Sequence, residues 1–172
     1  MKYRQGPVPP WHLAALAILS LILFFVAERN TDNTQQPRYR TKIKAAQLVV
    51  RTQDLMNAEL HRRGLKIDAL NDPWKSGLIG EERTVVTSDR GVNTAKILAT
   101  NPNFAAAFVD LLHKAGVRKG DTVAVGLTGS IPGWNVAMLA ACNAMGVQPV
   151  VIASVGASDW GANRPDLSWL DM

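Results

Sequence analysis

The stretch "DTVAVGLTGSIPGWNVAMLAACNAMGVQPVVIAS", residues 121–154, constrains the fold more than any other part of the chain. A valine-rich run (121–128) stops at Thr128-Gly129-Ser130. Pro132 and Gly133 then open an alanine-rich segment that closes at Gly146, and a second β-branched run (147–154) follows. Proline at the start and glycine just past the end bracket a helix. Two strands joined through a helix must lie parallel, with a right-handed crossover. The same grammar extends upstream. "RTVVTS" (83–88) reads as a short strand ending in "DRG". "NPNFAAAFVDLLHKAG" (101–116) reads as a helix with Asn101 as N-cap, Pro102 at its first position and Gly116 as its stop. Phe104, Phe108, Leu111 and Leu112 form its expected apolar face. The order after residue 80 is therefore β-α-β-α-β. It predicts an α/β fold: a small parallel sheet with helices on its faces, Rossmann-like in topology. The unbroken apolar character of "VAVGL" and "VVIA" predicts strands covered on both sides.

Ahead of this unit the pattern is helical. From about residue 40 to 63, Leu48, Val49, Leu55, Met56 and Leu60 fall on one stripe, and Gly64 is a natural stop. "DALNDPWKSGLIGEER" is a loop by its Asp72-Pro73, Gly77 and Gly80. Still earlier, "WHLAALAILSLILFFVA" (11–27) carries one ionisable group, His12, and reaches the lower limit for a membrane-spanning helix. Trp11 stands where an interfacial aromatic is expected. A cleaved signal is the rival reading, disfavoured by the bulky Phe25 ahead of Val26-Ala27. The expected organisation is a basic tail (1–10), a transmembrane helix (11–27), a polar linker (28–40) and an α/β domain (41–172) that begins with an amphipathic helix.

The net charge of +5 lies entirely in the first 44 residues, where seven Lys and Arg face Glu28 and Asp32. Residues 45–172 hold twelve basic and twelve acidic side chains. A nucleic-acid-binding body would carry its own basic surface, so no nucleic acid is expected as a partner. Positive charge beside an apolar span suits anionic membrane lipid. The immediate flanks, Lys2 and Arg4 against Arg29, Glu28 and Asp32, favour the N-terminus inside and the body outside the cytoplasm. A wider window that adds Arg38, Arg40, Lys42 and Lys44 favours the reverse. The one cysteine, Cys142, sits in an apolar helix pattern and is expected in the core.

Each expected strand ends in a small polar turn. The first gives Ser88-Asp89-Arg90-Gly91, the second Thr128-Gly129-Ser130, and the third Ser154-Val155-Gly156-Ala157-Ser158-Asp159. In a parallel sheet these ends share the carboxyl edge, where open α/β folds bind ligands. Glycine admits a close ligand, hydroxyls donate hydrogen bonds and Arg90 adds charge. Ser88, Arg90, Gly129, Ser130, Ser158 and Asn163 are the candidate ligand-binding residues. Such turns also serve only to cap helices and reverse the chain. Sharper motifs fail. No Gly-Lys-Ser/Thr follows the turn at 129, G-x-G-x-x-G spacing is absent, and Ser130 lacks a G-x-S-x-G setting. A histidine base for Ser130 would have to be His61 or His113, both on expected helix surfaces. Asp121 precedes its strand and belongs at the opposite end, leaving Asp89 and Asp159 as the one carboxylate pair near the edge. No metal-ligand spacing is present, and no cofactor is expected. Trp134, Trp160 and Trp169 either line a pocket or pack the edge of the sheet.

Two resemblances rest on these residues. "LHKAGVRKGDTVAVGLTGSIPGWNVAMLAACNAMGVQPVVI" looks like the opening βα unit of adenylate-forming ligases, but their adenylate-binding loop and its lysine are missing. More extensively, "LIGEERTVVTSDRG", "NPNFAAAFVDLLHKAGVRKGDTVAVGLTGSIPGWNVAMLAACNAMGVQPVVIASVGAS" and "WGANRPDLSWLDM" resemble, in order, blocks of the bacterial poly-γ-glutamate system protein family, over residues 43–172. An N-terminal apolar anchor is also typical of that family. The resemblance implies a membrane-associated accessory of poly-γ-glutamate (capsule-type) synthesis or export, with synthase components and the γ-glutamyl polymer or a phosphate group as partners. It carries over no catalytic residue. Members of that family continue past "WLDM", so the expectation is a short or truncated form. The alternatives are a hydrolase or transferase on γ-glutamyl amide bonds, using Ser130 or Asp159, and a purely structural partner of the synthase.

Overall fold

The computed structural model describes residues 9–30 and 34–172, in two units, 1–37 and 38–172. The expected basic tail up to residue 8 and linker residues 31–33 lie outside the described residues.

The first unit holds one helix, α1 (Pro10–Arg29), with proline at its first position. Its 20 residues extend about 30 Å at 1.5 Å each, the thickness of a bilayer's hydrocarbon core. Leu13, Leu16, Leu19, Ile22 and Phe25 are each more than half exposed, and no residue of the helix is buried. A helix apolar on every side has no amphipathic face to lay on a protein core. It is long and apolar enough to cross a membrane.

The second unit is mixed α/β. In chain order it contains α2 (Tyr39–Arg62), β1 (Thr87–Asp89), α3 (Asn93–Ala99), α4 (Asn103–Lys114) and β2 (Thr122–Thr128). Then come α5 (Pro132–Met145), β3 (Gln148–Ser154), β4 (Ala157–Ser158), β5 (Asn163–Arg164), β6 (Leu167–Ser168) and a 3₁₀ turn (Trp169–Asp171). Helices α2, α4 and α5 end as their glycines require. Gly64, Gly116 and Gly146 have φ of 70°, 89° and 68°. The next N–H in each case reaches back five residues: Leu65 to Leu60, Val117 to Leu112 and Val147 to Cys142, at 2.9–3.0 Å. This closure satisfies carbonyls the helix leaves open. α4 starts one residue later than expected, with Pro102 rather than Asn101 at the cap position; the Asn101 side chain accepts the Asn103 N–H at 2.9 Å just ahead of it.

The core forms where these helices meet the β2–β3 pair. Val49, Met56 and Leu60 of α2, Val109 and Leu112 of α4, and Val136, Ala137, Ala140, Ala141 and Cys142 of α5 are buried together with Val125, Leu127, Leu78 and Trp169. Alanines on α5 let it lie close to both α2 and α4. Lys42 of α2 ties to Asp110 of α4 at 2.6 Å. Two expected core residues are outside: Leu55 is 62 % and Leu111 56 % exposed. On α4 the buried face is Ala105, Val109 and Leu112, with Phe104 and Phe108 partly buried.

The sheet departs from expectation in two ways. First, the three strands do not form one continuous sheet. β2 and β3 pair in parallel over seven positions, Thr122↔Gln148 through Thr128↔Ser154. β1 instead pairs in parallel with β4, the short strand that follows β3 after Val155-Gly156. It begins at Thr87, later than the β-branched run suggests. The Thr84 main-chain N–H donates to the Thr87 hydroxyl at 2.8 Å and the Thr87 N–H to the Thr84 carbonyl at 3.2 Å, so "TVV" is spent in a turn. Second, the sheet is covered on one face only. Val125 and Leu127 face the core, while Ala124, Gly126, Val150 (55 %) and Ile152 (80 %) are exposed. The antiparallel β5–β6 hairpin completes the unit.

Candidate functional site

The ends of β1, β2 and β4 come together at one rim. The Ser130 hydroxyl, beyond β2, accepts the main-chain N–H of Ser158 at 3.0 Å. The Ser88 hydroxyl, on β1, donates to the Ala157 carbonyl at 3.2 Å. The Asp159 N–H donates to the Asp89 carbonyl at 3.0 Å. Segment 157–159 is thus gripped from both sides by the turns that precede and follow it in space. The grip depends on missing side chains. A Cβ on Gly129 would stand 3.0 Å from Ala157 Cβ, and one on Gly91 2.4 Å from the Asp159 carbonyl oxygen. Gly161 fits the same way, its Cβ position 2.6 Å from the Gly129 oxygen.

The sequence-selected residues therefore divide by role. Ser88, Gly129 and Ser130 hold the backbone of the rim together. Ser158 sits at its centre, 8 % exposed. Arg90 stands at the mouth, where Glu82, Arg83, Arg90 and Asp159 line an open cavity of about 450 Å³. Asn163 is not at the rim surface. It is fully buried, accepts the Glu81 N–H at 2.9 Å and donates to the Glu81 carbonyl at 2.7 Å and the Thr87 hydroxyl at 3.0 Å. It is a bracket between the 80s loop and β5. Asp89 and Asp159 pair through main chains, while their carboxylates face different groups. Asp89 Oδ1 accepts the Arg90 N–H at 2.7 Å. Asp159 meets Arg83 Nε at 3.4 Å and the Gly91 N–H at 3.3 Å. Asp121 caps the Arg118 turn at the opposite end of β2, as its position implied.

Three groups at the site escaped sequence reasoning. Asn135 of α5, buried, donates to the Thr128 carbonyl at 2.7 Å and fixes the end of β2. Arg83 supplies a second guanidinium to the mouth. Most important, Lys96 of α3 is 5 % exposed and its Nζ lies 2.7 Å from Ser158 Oγ. Burial lowers the pKa of this ammonium from the ordinary 10.5, and the neighbouring Asp159 carboxylate opposes that shift. Nothing in "NTAKILA" separates such a lysine from a solvated one; the one clue is its place behind the first turn.

The other groups weighed from the sequence lie elsewhere. His113 is in the last turn of α4 beside Arg118, with its pKa lowered by desolvation and by Arg38 and Arg118. His61 lines a cleft at the C-terminal end of α2. Trp134 packs on Phe104, ring centroids 5.5 Å apart. Trp169 is buried and lines an apolar cleft of about 330 Å³ with Leu48, Val136 and Met172. Trp160, in the loop after the rim, has φ 64°, an uncommon backbone for a bulky side chain. Its N–H and carbonyl both pair with the 80s loop, to the Glu81 carbonyl and the Gly80 N–H. Among the described residues no three His, Cys, Asp or Glu side chains are grouped to hold a metal.

Comparison of the chain with protein-family models, with curated proteins and with solved structures found no match.

Proposed function

We propose that this is a single-pass cell-membrane protein whose body, outside the cytoplasm, serves poly-γ-glutamate synthesis or export by binding the γ-glutamyl chain at the rim. We read the β-α-β-α-β order as a reduced Rossmann-like unit, with β4 continuing β3 and β1 added beside it. The observation that carries the reading is the mouth beside the gathered turns. Two guanidiniums, Arg83 and Arg90, share it with two carboxylates, Glu82 and Asp159. A γ-linked glutamyl chain offers both complements in every residue: a free α-carboxylate for a guanidinium and an amide N–H for a carboxylate. A phosphate brings its negative charge directly against Glu82 and Asp159, with only a P–OH group to offer them and no repeating amide N–H. The apolar helix and the family resemblance support the membrane setting and the polymer.

The test is thermal unfolding of the full chain in detergent micelles, at low salt, with γ-linked polyglutamate or inorganic phosphate added. The reading expects the polymer to raise the Tm, and Arg90→Ala to lessen the rise without lowering the ligand-free Tm. It expects the shift to shrink as salt rises, because the guanidiniums are at the surface. Equal stabilisation by phosphate and polymer, or none by polymer, would count against it.

A further inference from the structure

The pair formed by Lys96 and Ser158 has a use that ligand binding does not require. A lysine with only 5 % of its surface exposed is rare, because desolvating an ammonium is costly unless it is paired. Its hydrogen-bonding partner here is a neutral hydroxyl, at 2.7 Å. A hydroxyl and an amine within hydrogen-bond reach, in a dry setting, are the two parts of an activated serine nucleophile. The surroundings favour that arrangement. Ser158 is held in place by its own N–H on Ser130 Oγ, and β4 is pinned by Ser88. Gly91 packs closely beside the hydroxyl; a Cβ there would lie 2.4 Å from the Asp159 carbonyl oxygen and 3.0 Å from Ser158 Oγ.

We propose that Ser158 is an acyl-accepting nucleophile and Lys96 its general base, acting on an ester or amide whose acyl part bears a carboxylate for the adjoining Arg90. Neutral Lys96 takes the proton from Ser158 Oγ as the oxygen bonds to the acyl carbon. The carbon–nitrogen or carbon–oxygen bond then breaks, and the departing amine or alcohol takes the proton from Lys96. Water, deprotonated by the same amine, attacks the acyl carbon; the bond to Ser158 Oγ breaks, Lys96 gives its proton back to that oxygen, and the acid leaves. Burial lowers the pKa of Lys96 and the Asp159 carboxylate opposes that; the net lowering supports this role by supplying neutral amine below the usual range. The assignment needs neither the membrane setting nor the polymer.

The test is covalent labelling of the full chain in micelles with an alkyl fluorophosphonate, located by peptide mass spectrometry across pH 7 to 10.5. The serine oxygen bonds to phosphorus, fluoride leaves and Lys96 takes the proton. The expected result is labelling at Ser158, with a rate that rises to a plateau at a midpoint below 10.5. Lys96→Arg keeps the charge but cannot act as base, and should slow labelling about 100-fold. No labelling of Ser158, a midpoint at or above 10.5, or a rate in Lys96→Arg within about threefold of the parent would overturn the proposal. The pH profile of the unaltered protein decides the matter even if the variant fails to fold.

Discussion

At the scale of single residues, the rim separates groups that build from groups that act. Asn163 belongs to the builders: its amide closes a two-way bond with Glu81 and a third with Thr87. Asn163→Ala removes the partner of the Glu81 N–H, while the Glu81 carbonyl keeps the Trp160 N–H, and should cost about 1–3 kcal/mol in urea unfolding, with no effect on ligand response at full folding. Lys96 carries a pH signature of its own. Its folded pKa lies below the unfolded 10.5, so between those values the unfolded chain binds more protons. Stability from this group is therefore lowest below the folded pKa and rises with pH toward 10.5. Relative to Lys96→Met, the parent protein should gain stability as pH climbs from 7 to 10, measured by denaturant midpoint. A difference that stays flat would mean that the ammonium is not desolvated. These residues also mark the limit of sequence reading. Ser88, Ser130 and Ser158 were selectable because they end apolar runs. Lys96 was not, since a lysine's burial depends on what α3 is pressed against and leaves no trace in its own neighbours.

At the scale of elements, local chemistry dictated more than packing did. The helix stops at Gly64, Gly116 and Gly146 were readable because glycine supplies the closing geometry itself. The Thr84–Thr87 turn was not, because threonine serves a strand and a hydroxyl-bonded turn equally well. The exposed Val150 and Ile152 show the converse limit: an apolar strand says it tolerates burial, not that both faces are covered. The loop between α2 and β1 is held by an internal device. Asp72, 2 % exposed, accepts the N–H groups of Ser76 and Gly77 at 3.0 and 2.8 Å and faces the Ser76 hydroxyl at 3.1 Å. Asp72→Ala should destabilise the body by about 3 kcal/mol, seen as a lower denaturant midpoint with unchanged slope. A loss under about 0.5 kcal/mol, the range of an ordinary surface substitution, would show that the loop stands without it.

At the scale of the molecule, the two units differ in what they expose. α1 exposes Leu19 at its middle and apolar side chains all round. If it spans a bilayer, Leu19→Arg adds about 3 kcal/mol to insertion and should shift the protein from the alkali-resistant membrane pellet toward the supernatant. The body's claim to function rests on segments far apart in sequence forming one site. Hydrogen exchange by mass spectrometry on the full chain, with and without γ-linked polyglutamate, tests that claim most directly. The account predicts added protection in residues 82–91, 128–130 and 157–161 together, at one polymer concentration. Protection confined to one of the three, or found instead along the exposed β3 face, would contradict it.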